Sequence, residues 1–581
     1  MCGIAGIISQ NKSQVSNEVL LQMGKCLAHR GPDGHAVWLS DDDSAGFSHT
    51  RLSVIDKSAA AAQPMHYGER FTIIYNGEIY NYIELKEALI KKGYQFKTSS
   101  DTEVILASYM QYKERCVEQF DGMFAFALWD DENKTLFCAR DRFGEKPFFY
   151  STSNGFYFAS EIKALHVAGM SRERDNGMLL LFLGTGGTID PADTSRTFYR
   201  KIKKLPASHW LMYDVKDSSV IIKKYWDVSK VIRPICVKDA LEELNALVTL
   251  SVKRRIRSDV PIGTSLSGGL DSSTIAAWLA GLAINNLKTF TASFPGFEKD
   301  ETAKAQKVAA KFHFQHFTIE PGAEGLIMDF EKMAWYHDEP IASGSVYAQY
   351  KVFELAAKEH VTVLLDGQGA DELFAGYDHY RRWKLRSVFP AFTARLLERR
   401  ERRHLSDPSV NIEFAEAAAK EITIVKPEVR DLNHLLYFDT FCSGLEQLLR
   451  YADRNAMAHG REVRLPFLCH ELAAFIFSLP ARMKIHEGYT KWLLRRMMAD
   501  QLPHEIVWTK RKTGFEPPQK MWMEHPVVQD YMIDARKKLV DERVLSKVVL
   551  DQRLPPNAAY DRKGNGWRWM SASAFIHKKG V

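Results

Sequence analysis

The chain has 581 residues, of which 45% are hydrophobic and 26% are charged, and these fractions are typical of folded globular proteins. This composition excludes a disordered or fibrous protein, and the length predicts about two to four domains at roughly 150 residues each. The 78 Lys and Arg against 72 Asp and Glu leave a net charge of +6, which requires neither a nucleic-acid nor a membrane partner, and we expect neither.

The cysteines and the apolar runs indicate the compartment. The seven cysteines form no CxxC pair, which favours a reducing compartment over a disulfide framework or a zinc site. No secretory signal pattern is visible, and the longest apolar run, residues 178–183, is far shorter than the roughly 20 residues that span a bilayer. We therefore expect a cytoplasmic protein. The basic run 395–403 includes Glu398 and Glu401 and is interpreted as a solvated helix face.

The first 160 residues contain many short strand patterns broken by turn residues. Strands are predicted at 71–75, 123–129 and 156–159, and helices at 83–92 and 102–112. This arrangement predicts an α+β domain that is rich in antiparallel sheet. Residues 172–238 resemble a connector with a few strands of its own.

The pattern changes near residue 239. A predicted helix at 240–257 is followed by a strand at 260–266, and further strands at 289–294, 317–320 and 361–366 alternate with helical patterns. Strands that alternate with helices predict a parallel α/β sheet. After Asp371 the chain is predicted to be almost entirely helical.

Cys2 directly follows Met1, so that removal of the initiator methionine would give it a free α-amino group. That amine could accept the proton of the thiol, and the thiolate could attack an amide carbon. From this residue alone, a small buried cysteine at the start of a strand is the more common interpretation.

Other residues nearby supply the groups that amide hydrolysis needs. Arg51 offers a guanidinium that can bind a carboxylate. Asn76 and Gly77 offer a side-chain amide and a backbone N–H for an oxyanion hole. Glu78 and Asp101 could hold the α-ammonium of an amino acid. Each could be a structural turn, but their occurrence together after Cys2 favours a catalytic site.

Residues 1–165 resemble the class II glutamine amidotransferase domain, which has an N-terminal-nucleophile hydrolase fold. The matching stretches are 1–4, 29–33, 51–55, 76–78, 100–103, 121–126 and 140–144. The resemblance implies that Cys2 is the nucleophile and that Asn76 and Gly77 form the oxyanion hole. The glutamine site that it implies consists of Arg51, Val54, Ile55, Asn76, Gly77, Glu78 and Asp101. This domain also occurs in enzymes that make glucosamine phosphate and phosphoribosylamine, so it indicates the nitrogen source and leaves the acceptor open.

The sequence SGGLDSS at 267–273 lies where an apolar strand meets a helix. Glycines let the backbone approach a polyanion, and successive N–H groups at a helix N-terminus attract phosphate. Ser272 and Ser273 add hydroxyl donors, and Asp271 suggests a bridging cation. A Gly-Gly turn alone would be only a structural turn. The motif is neither a Walker loop nor GxGxxG, which argues against γ-phosphoryl transfer and dinucleotide binding.

A second acidic turn, 366–372, follows the strand predicted at 361–366. The carboxyl ends of parallel strands are where ligands of such sheets bind. Asp271 and Asp371 could share Mg²⁺, which prefers carboxylate and phosphate oxygens. Lys491 is predicted on a helix, where solvent exposure is the usual state of a lysine.

SGGLDSS resembles the loop of ATP pyrophosphatases, and residues 238–520 resemble the synthetase domain of glutamine-hydrolysing asparagine synthetases. Further matches are 259–263, 338–340, 366–372, 450–455, 462–468, Lys491 and 512–515. The ATP site that this implies consists of Ser265, Leu266, Ser267, Gly268, Gly269, Asp271, Ser272, Ala292, Asp366 and Gly367. Lys491 would stabilise charge on the α-phosphorus and on the leaving pyrophosphate, with Mg²⁺ at Asp271 and Asp371.

The resemblance implies four segments: a glutaminase domain at 2–165, a connector at 166–237, a synthetase domain at 238–520 and a helical extension at 521–581. The expected fold is an α+β N-terminal-nucleophile hydrolase domain, then an α/β parallel-sheet ATP-pyrophosphatase domain with a helical C-terminal part. The expected substrates are glutamine, aspartate and ATP, and the family implies a homodimer. The implied reaction makes β-aspartyl-AMP, which ammonia from glutamine converts to asparagine.

Two positions depart from the family pattern. Gln368 stands where the family often has a Glu that is linked to formation of the aspartyl-adenylate, and Cys469 replaces the usual Asp after Pro-Phe-Leu. A neutral amide can form hydrogen bonds but cannot act as a base, so the catalytic role at position 368 is open. Two alternatives also remain open, namely the same chemistry on another carboxylate and a non-catalytic relative.

Overall fold

The computed structural model describes residues 1–282, 284, 287–510, 514–561 and 564–577. Lys512 and Thr513 of the predicted match at 512–515 lie outside these residues. Among the described residues, no helix combines the length and the apolar character that crossing a bilayer would need.

The N-terminal part contains two six-stranded sheets in which every strand pairing is antiparallel. Their orders are β10-β8-β9-β1-β3-β2 and β12-β11-β7-β6-β5-β4. The strands are β1 Gly3–Ile8, β2 Gly34–Leu39, β3 Ala45–Arg51, β4 Met65–Tyr67, β5 Phe71–Ile79, β6 Gly122–Asp130, β7 Thr135–Arg140, β8 Phe149–Ser151, β9 Phe156–Ala159, β10 Lys203–Lys204, β11 His209–Asp214 and β12 Val220–Lys224.

Alternating side chains build this domain in layers. Ile4 of β1 and Ile74 of β5 face a shared core between the two sheets. The next residues along the strands turn outwards, so that Ala5 packs beneath helices α1 Asn17–Cys26 and α5 Asn176–Thr185. Helices α2 Tyr82–Ile90 and α3 Asp101–Tyr112 lie on the second sheet, and α4 is Ile162–Val167. Two antiparallel sheets between helical layers confirm the predicted α+β fold class.

Residues 166–237, which the sequence predicts as a connector, contribute strands to both sheets. β10 pairs with β8 in the first sheet, and β11 pairs with β7 in the second. These strands are therefore continuous with the N-terminal domain rather than a separate unit.

The second part is built on a parallel five-stranded sheet with the order β15-β14-β13-β16-β17. Its strands are β13 Ile262–Ser265, β14 Lys288–Ala292, β15 Gln315–Ile319, β16 Val363–Leu365 and β17 Glu462–Arg464. The chain order reverses between β13 and β16, which places a binding crevice at the carboxyl ends of these two strands. The prediction of an almost entirely helical chain after Asp371 is confirmed for the described residues except at β17. The sequence did not indicate this strand, because two of its three residues are charged and only their buried ion pairs make them suitable for an interior strand.

Helices surround this sheet and form the rest of the chain. They are α6 Val237–Arg255, α7 Leu270–Gly281, α8 Thr302–Lys311, α9 Ala323–His337, α10 Gly344–Lys358, α11 Ala370–Leu373, α12 Trp383–Val388, α13 Pro390–Leu405, α14 Ile412–Ala419, α15 Leu432–Phe441, α16 Gly444–Met457, α17 His470–Ser478, α18 Ala481–Lys484, α19 Trp492–Met498, α20 His504–Val507, α21 Gln519–Glu524, α22 Pro526–Asp541 and α23 Gly566–Ile576. The parallel sheet and the helical C-terminal part confirm the predicted second fold class.

Candidate active sites

Cys2 lies one residue before β1 and is 8% exposed. Its backbone N–H donates to Asn76 Oδ1 at 3.1 Å, and its Sγ lies 3.9 Å from the backbone oxygen of Leu52. Burial raises the pKa of the Cys2 thiol, and the nearby α-ammonium group only partly opposes this effect. The thiol is therefore uncharged at neutral pH in this arrangement, so a base has to remove its proton before it can attack.

A cleft of about 30 Å³ opens beside Cys2. The residues predicted for glutamine that line it are Arg51, Val54, Ile55, Gly77, Glu78 and Asp101. The sequence did not predict Leu52, Ser53, Ala61, Gln63, Tyr75, Ser100 and Thr102, which also line it. Most of these are neighbours of predicted residues in the chain, but Ala61 and Gln63 are not, and no motif in the sequence indicates them.

Two buried polar atoms at this site lack a hydrogen-bond partner among the described residues. They are Nδ2 of Asn76 and Oε2 of Glu78. A buried polar group without a partner costs about 1–3 kcal/mol, so such atoms call for a functional explanation. A donor at Asn76 suits a developing oxyanion, and an acceptor at Glu78 suits the α-ammonium of an amino acid.

The other charged side chains of the cleft are held by hydrogen bonds to backbone groups and to the Tyr75 hydroxyl. Arg51 donates through Nη1 to the Ser58 carbonyl at 3.0 Å and through Nη2 to the Asp56 carbonyl at 2.6 Å. Asp101 Oδ2 accepts from the Tyr75 hydroxyl at 2.9 Å and from the Ile79 N–H at 2.8 Å. Both side chains are thereby oriented before any ligand arrives.

Met1 occupies one wall of this cleft and is 1% exposed. Its α-ammonium lies 3.0 Å from Oε2 of Glu462 in β17. Removal of Met1 stays a prediction. Its removal would make Cys2 the N-terminal residue with a free α-amino group, and it would enlarge the cleft on the side that faces the parallel sheet.

The second site is a cleft of about 270 Å³ at the carboxyl ends of β13, β14 and β16. The residues predicted for ATP that line it are Ser265, Leu266, Ser267, Gly268, Gly269, Asp271, Ser272, Ala292, Asp366 and Gly367. Gly268 has a φ of +75°, and a Cβ there would lie 2.6 Å from Cβ of Lys304. This close turn requires glycine and brings the loop backbone to the start of α7, where N–H groups attract phosphate.

Lys491 lies between two carboxylates of this cleft. Its Nζ is 2.5 Å from Asp271 Oδ2 and 2.6 Å from Asp371 Oδ1, and its side chain is 5% exposed. Burial alone would lower the pKa of Lys491, but the two carboxylates outweigh it and raise that pKa. Lys491 caps α19 with a φ of +52°, so the usual solvent-exposed state of a helix lysine does not apply here.

The carboxylates of Asp271 and Asp371 have the oxygen donors that Mg²⁺ prefers. They converge on one point from two different elements, α7 and α11. With Lys491 between them the group carries a net charge of −1, which leaves it attractive to a cation that also contacts phosphate. These residues therefore fit a magnesium ion.

Two further residues of the acidic turn face the same cleft. Burial raises the pKa of Asp366 to about 6, while its Oδ1 accepts the N–H of Ser265 at 3.3 Å. Oε1 of Gln368 is buried without a hydrogen-bond partner among the described residues. The sequence did not predict several other lining side chains, among them Phe290, Phe294, Lys299, Lys304, Gln349, Arg495 and Glu516. Of these, Arg495 had a signal because it lies one helical turn after Lys491. Phe290 and Phe294 also had one, because they lie two positions from Ala292 in the predicted strand 289–294 and share its face.

The chain matches the family model described as asparagine synthase over residues 243–576 and the one described as glutamine amidotransferase domain over residues 1–226. This protein belongs to the asparagine synthase family.

Relatives of this asparagine synthase-family protein span most of its length. It is 32% identical to "Asparagine synthetase [glutamine-hydrolyzing] 1" of Bacillus subtilis, over 92% of this chain and 91% of the relative. It is 33% identical to "Asparagine synthetase [glutamine-hydrolyzing] 3" of the same organism, over 88% and 86%. "Amidase chry2" of Gibberella zeae is 26% identical over 91% and 90%. The predicted family resemblance is confirmed, and this family consists of ligases.

The departure from the family pattern at Cys469 is accommodated by neighbouring charges. Cys469 is fully buried, and its thiol donates to Oε2 of Glu471 at 2.8 Å. The buried guanidinium of Arg255 lies close to Cys469 and pairs with Asp121 of the N-terminal domain at 3.2 Å. A carboxylate from the other domain therefore neutralises the buried guanidinium beside Cys469.

β17 contacts both sites of this asparagine synthase-family protein. Glu462 pairs with Met1 at the first site, and Arg464 donates to Glu462 Oε1 at 2.6 Å. The backbone oxygen of Arg464 accepts the N–H of Asp366 at 2.9 Å. A single three-residue strand thus contacts the nucleophile end of one domain and the acidic turn of the other.

Proposed function

We propose that this protein transfers the amide nitrogen of glutamine to the β-carboxylate of aspartate at the expense of ATP, acting in the cytoplasm as a homodimer. The observation that supports this best is the presence of two equipped sites in one chain that share β17. One site has a cysteine with a vacant oxyanion donor at Asn76, and the other has a lysine between two carboxylates beside a phosphate-binding loop.

In the first half-reaction, the thiolate of Cys2 attacks the carboxamide carbon of glutamine. Nδ2 of Asn76 and the N–H of Gly77 stabilise the negative charge on the oxygen. The C–N bond breaks, a proton is added to the nitrogen and ammonia leaves, with a thioester on Cys2. Water then attacks this thioester, which releases glutamate and returns the thiol.

In the second half-reaction, a β-carboxylate oxygen of aspartate attacks the α-phosphorus of ATP. The bond between the α-phosphorus and the bridging oxygen breaks, giving β-aspartyl-AMP and pyrophosphate. The charge of Lys491 stabilises the phosphoryl oxygens as the negative charge shifts to the leaving group. Ammonia then attacks the acyl carbon, loses a proton and displaces AMP to give asparagine.

Asp271 and Asp371 are the residues that would hold Mg²⁺. The ion would supply positive charge against the phosphates of ATP. Ammonia has to pass from the Cys2 cleft to the second cleft, and the buried contacts of β17 lie between them. We propose that this interior route keeps water from protonating the ammonia.

The experiment that tests the proposal is pyrophosphate release from MgATP with a panel of amino acids, with glutamine or ammonium as nitrogen source. We expect pyrophosphate only with aspartate, in amounts equal to the asparagine formed. Pyrophosphate with another carboxylate would replace the acceptor and keep the two-site mechanism. No pyrophosphate with any acceptor would contradict the proposal and indicate a non-catalytic relative.

Two further measurements check the remaining parts. Intact-mass spectrometry should show a chain that lacks Met1, and a full methionine mass would contradict the α-amine as the base for Cys2. Light scattering during gel filtration should give about twice the 66.3 kDa of the chain for the proposed homodimer.

A further inference from the structure

Helices α12 and α13 carry an exposed surface that combines apolar and basic side chains. Five large apolar side chains are more than half exposed: Leu385 by 73%, Val388 by 64%, Phe389 by 67%, Phe392 by 66% and Leu396 by 55%. Single exposed apolar side chains are ordinary, but a group this dense indicates a contact surface. We call residues 382–403 the basic apolar surface.

The same segment concentrates the positive charge of the chain. Residues 382–403 contain eight Arg and Lys and two Glu, a net charge of +6, which equals the net charge of the whole protein. The rest of the chain is therefore neutral in sum. The exposed basic residues are Arg382, Lys384, Arg395, Arg399, Arg400, Arg402 and Arg403.

The apolar side chains of α13 point away from the body of the protein. Phe392 and Leu396 are one helical turn apart and share a face. Ala394 lies on the inner side and is 4% exposed, and Glu401 pairs with Lys426 at 3.1 Å. The inner side of α13 is thus occupied by its own domain, while the outer side presents aromatic and aliphatic tips next to arginines.

We propose that the basic apolar surface binds the headgroup layer of an anionic phospholipid bilayer. Phe389, Phe392 and Leu396 would enter the boundary between headgroups and acyl chains, and the arginines would contact lipid phosphates. The expectation of a solvated face considered the charges of 395–403 alone, and the expectation of no membrane partner considered the small net charge of the whole chain and its short apolar runs. The exposed apolar side chains that precede this run change that interpretation.

The charge pattern disfavours a second copy of the chain at this surface. A two-fold interface would bring two identical faces of +6 together, and like charges at that density repel. A membrane with acidic lipids offers negative charge at its surface and an apolar layer beneath that surface. It therefore matches both the exposed arginines and the exposed apolar side chains. An acidic protein or a nucleic acid would satisfy the arginines but would leave Leu385 and Val388 without an apolar environment.

The test is sedimentation of the full chain with phosphatidylcholine vesicles and with vesicles that contain about 30% phosphatidylglycerol. We expect binding to the anionic vesicles only, weakened by salt because screening shortens the reach of the charges. Phe389→Ser combined with Phe392→Ser should lower the bound fraction about tenfold, and Arg395→Glu combined with Arg399→Glu should abolish binding. Met328→Ser removes a side chain that is 83% exposed on α9 and serves as the matched control, with binding unchanged.

These substitutions replace exposed side chains, so the variants should keep the thermal midpoint and the pyrophosphate release of the wild type, which separates this proposal from the catalytic one. Equal binding of the Phe and Met328 variants would overturn the proposal. Binding to neutral vesicles, or capture by duplex RNA or polyglutamate without binding to anionic vesicles, would overturn it as well.

Discussion

Arg30 and Asp453 form a two-point ion pair between the two halves of the chain. Nη1 and Nη2 of Arg30 lie 2.9 and 3.0 Å from the two carboxylate oxygens of Asp453 on α16. The Nε of the same guanidinium donates to the backbone oxygen of Cys2 at 3.1 Å. The peptide of the nucleophile is thereby connected to the helix that packs beside β17.

This relationship predicts the behaviour of Asp453→Asn. The substitution keeps the shape but removes one of the two carboxylate charges that balance Arg30, the other being Glu161. It also removes a charge beside Lys146, whose Nζ lies 3.5 Å away. Because both cations stay buried, we expect a loss of about 3 kcal/mol in the free energy of unfolding. We also expect glutamine hydrolysis to exceed asparagine formation, measured as a glutamate-to-asparagine ratio above that of the wild type. The surface variant Asp227→Asn should keep that ratio, and an unchanged ratio in Asp453→Asn would contradict the role given to the pair.

Cys2→Ala separates the two half-reactions. Without the nucleophile, glutamine-dependent synthesis should fall by about a thousandfold or more, while ammonium-dependent synthesis stays within about twofold because the second cleft is untouched. Both rates are measured by asparagine formation. Cys236→Ala changes an exposed cysteine and should keep both activities. Loss of the ammonium activity in Cys2→Ala would contradict the division between the domains.

Gly77→Ala tests the backbone of the oxyanion site. Gly77 has a φ of +152°, and a Cβ there would lie 2.1 Å from the backbone oxygen of Met123 in the paired strand β6. Since that oxygen belongs to the sheet, we expect a loss of about 2–4 kcal/mol in unfolding free energy and loss of glutaminase activity. The matched control is Gly281→Ala at the end of α7, where a Cβ meets nothing within 4 Å and alanine is the better helix former, so stability should not fall. Wild-type glutaminase activity in Gly77→Ala would contradict the proposed oxyanion site.

Lys491→Met keeps the length of the side chain and removes its charge. The carboxylates of Asp271 and Asp371 would then lose the buried cation that lies between them, so we expect a loss of about 3 kcal/mol in stability. Pyrophosphate release should fall by at least about a hundredfold, whereas glutamine hydrolysis persists. Lys307→Met removes a lysine that is 62% exposed and paired with Glu505, and it should behave like the wild type. Pyrophosphate release within tenfold of the wild type in Lys491→Met would exclude Lys491 as the stabilising charge.

Asp366 predicts a pH dependence of stability. Burial raises its pKa from the ordinary 3.8 to about 6 in the folded protein. Between these two values the folded state holds a proton that the unfolded state has lost, so stability falls as the pH rises from about 4 to 6 and stays lower above that, by about 3 kcal/mol in total. Asp366→Asn should lack this contribution. Urea denaturation at pH 4.5 and 7 should therefore show that the unfolding free energy of the variant increases relative to that of the wild type as the pH rises. An equal change in both proteins would contradict the raised pKa of Asp366.

The sequence was sufficient for the elements with strong local patterns. The short strand-like runs 71–75 and 123–129 between turn residues predicted strands inside β5 and β6, and the helices at 102–112 and 240–257 are α3 and α6 within a few residues at each end. It also identified side chains that line both clefts, because glycine turns and residues next to strand ends have signatures in short stretches of chain. It did not predict β17, Gln63 or the lining side chains of α8 and α10, whose positions depend on distant segments.

The sequence by itself indicated the two kinds of chemistry. One follows from a cysteine next to an initiator methionine and the other from a glycine-rich phosphate loop after a strand, and each of these signals consists of residues that are adjacent in the chain. The tertiary structure alone decided that Lys491 lies buried between Asp271 and Asp371, and that Glu462 and Asp453 connect one domain to the Cys2 end of the other. The four ion pairs among these contacts join residues more than a hundred positions apart. A charged residue in a sequence looks solvent-exposed until the fold brings its counter-charge to it, because burial of an ion depends on the partner that compensates for the lost water.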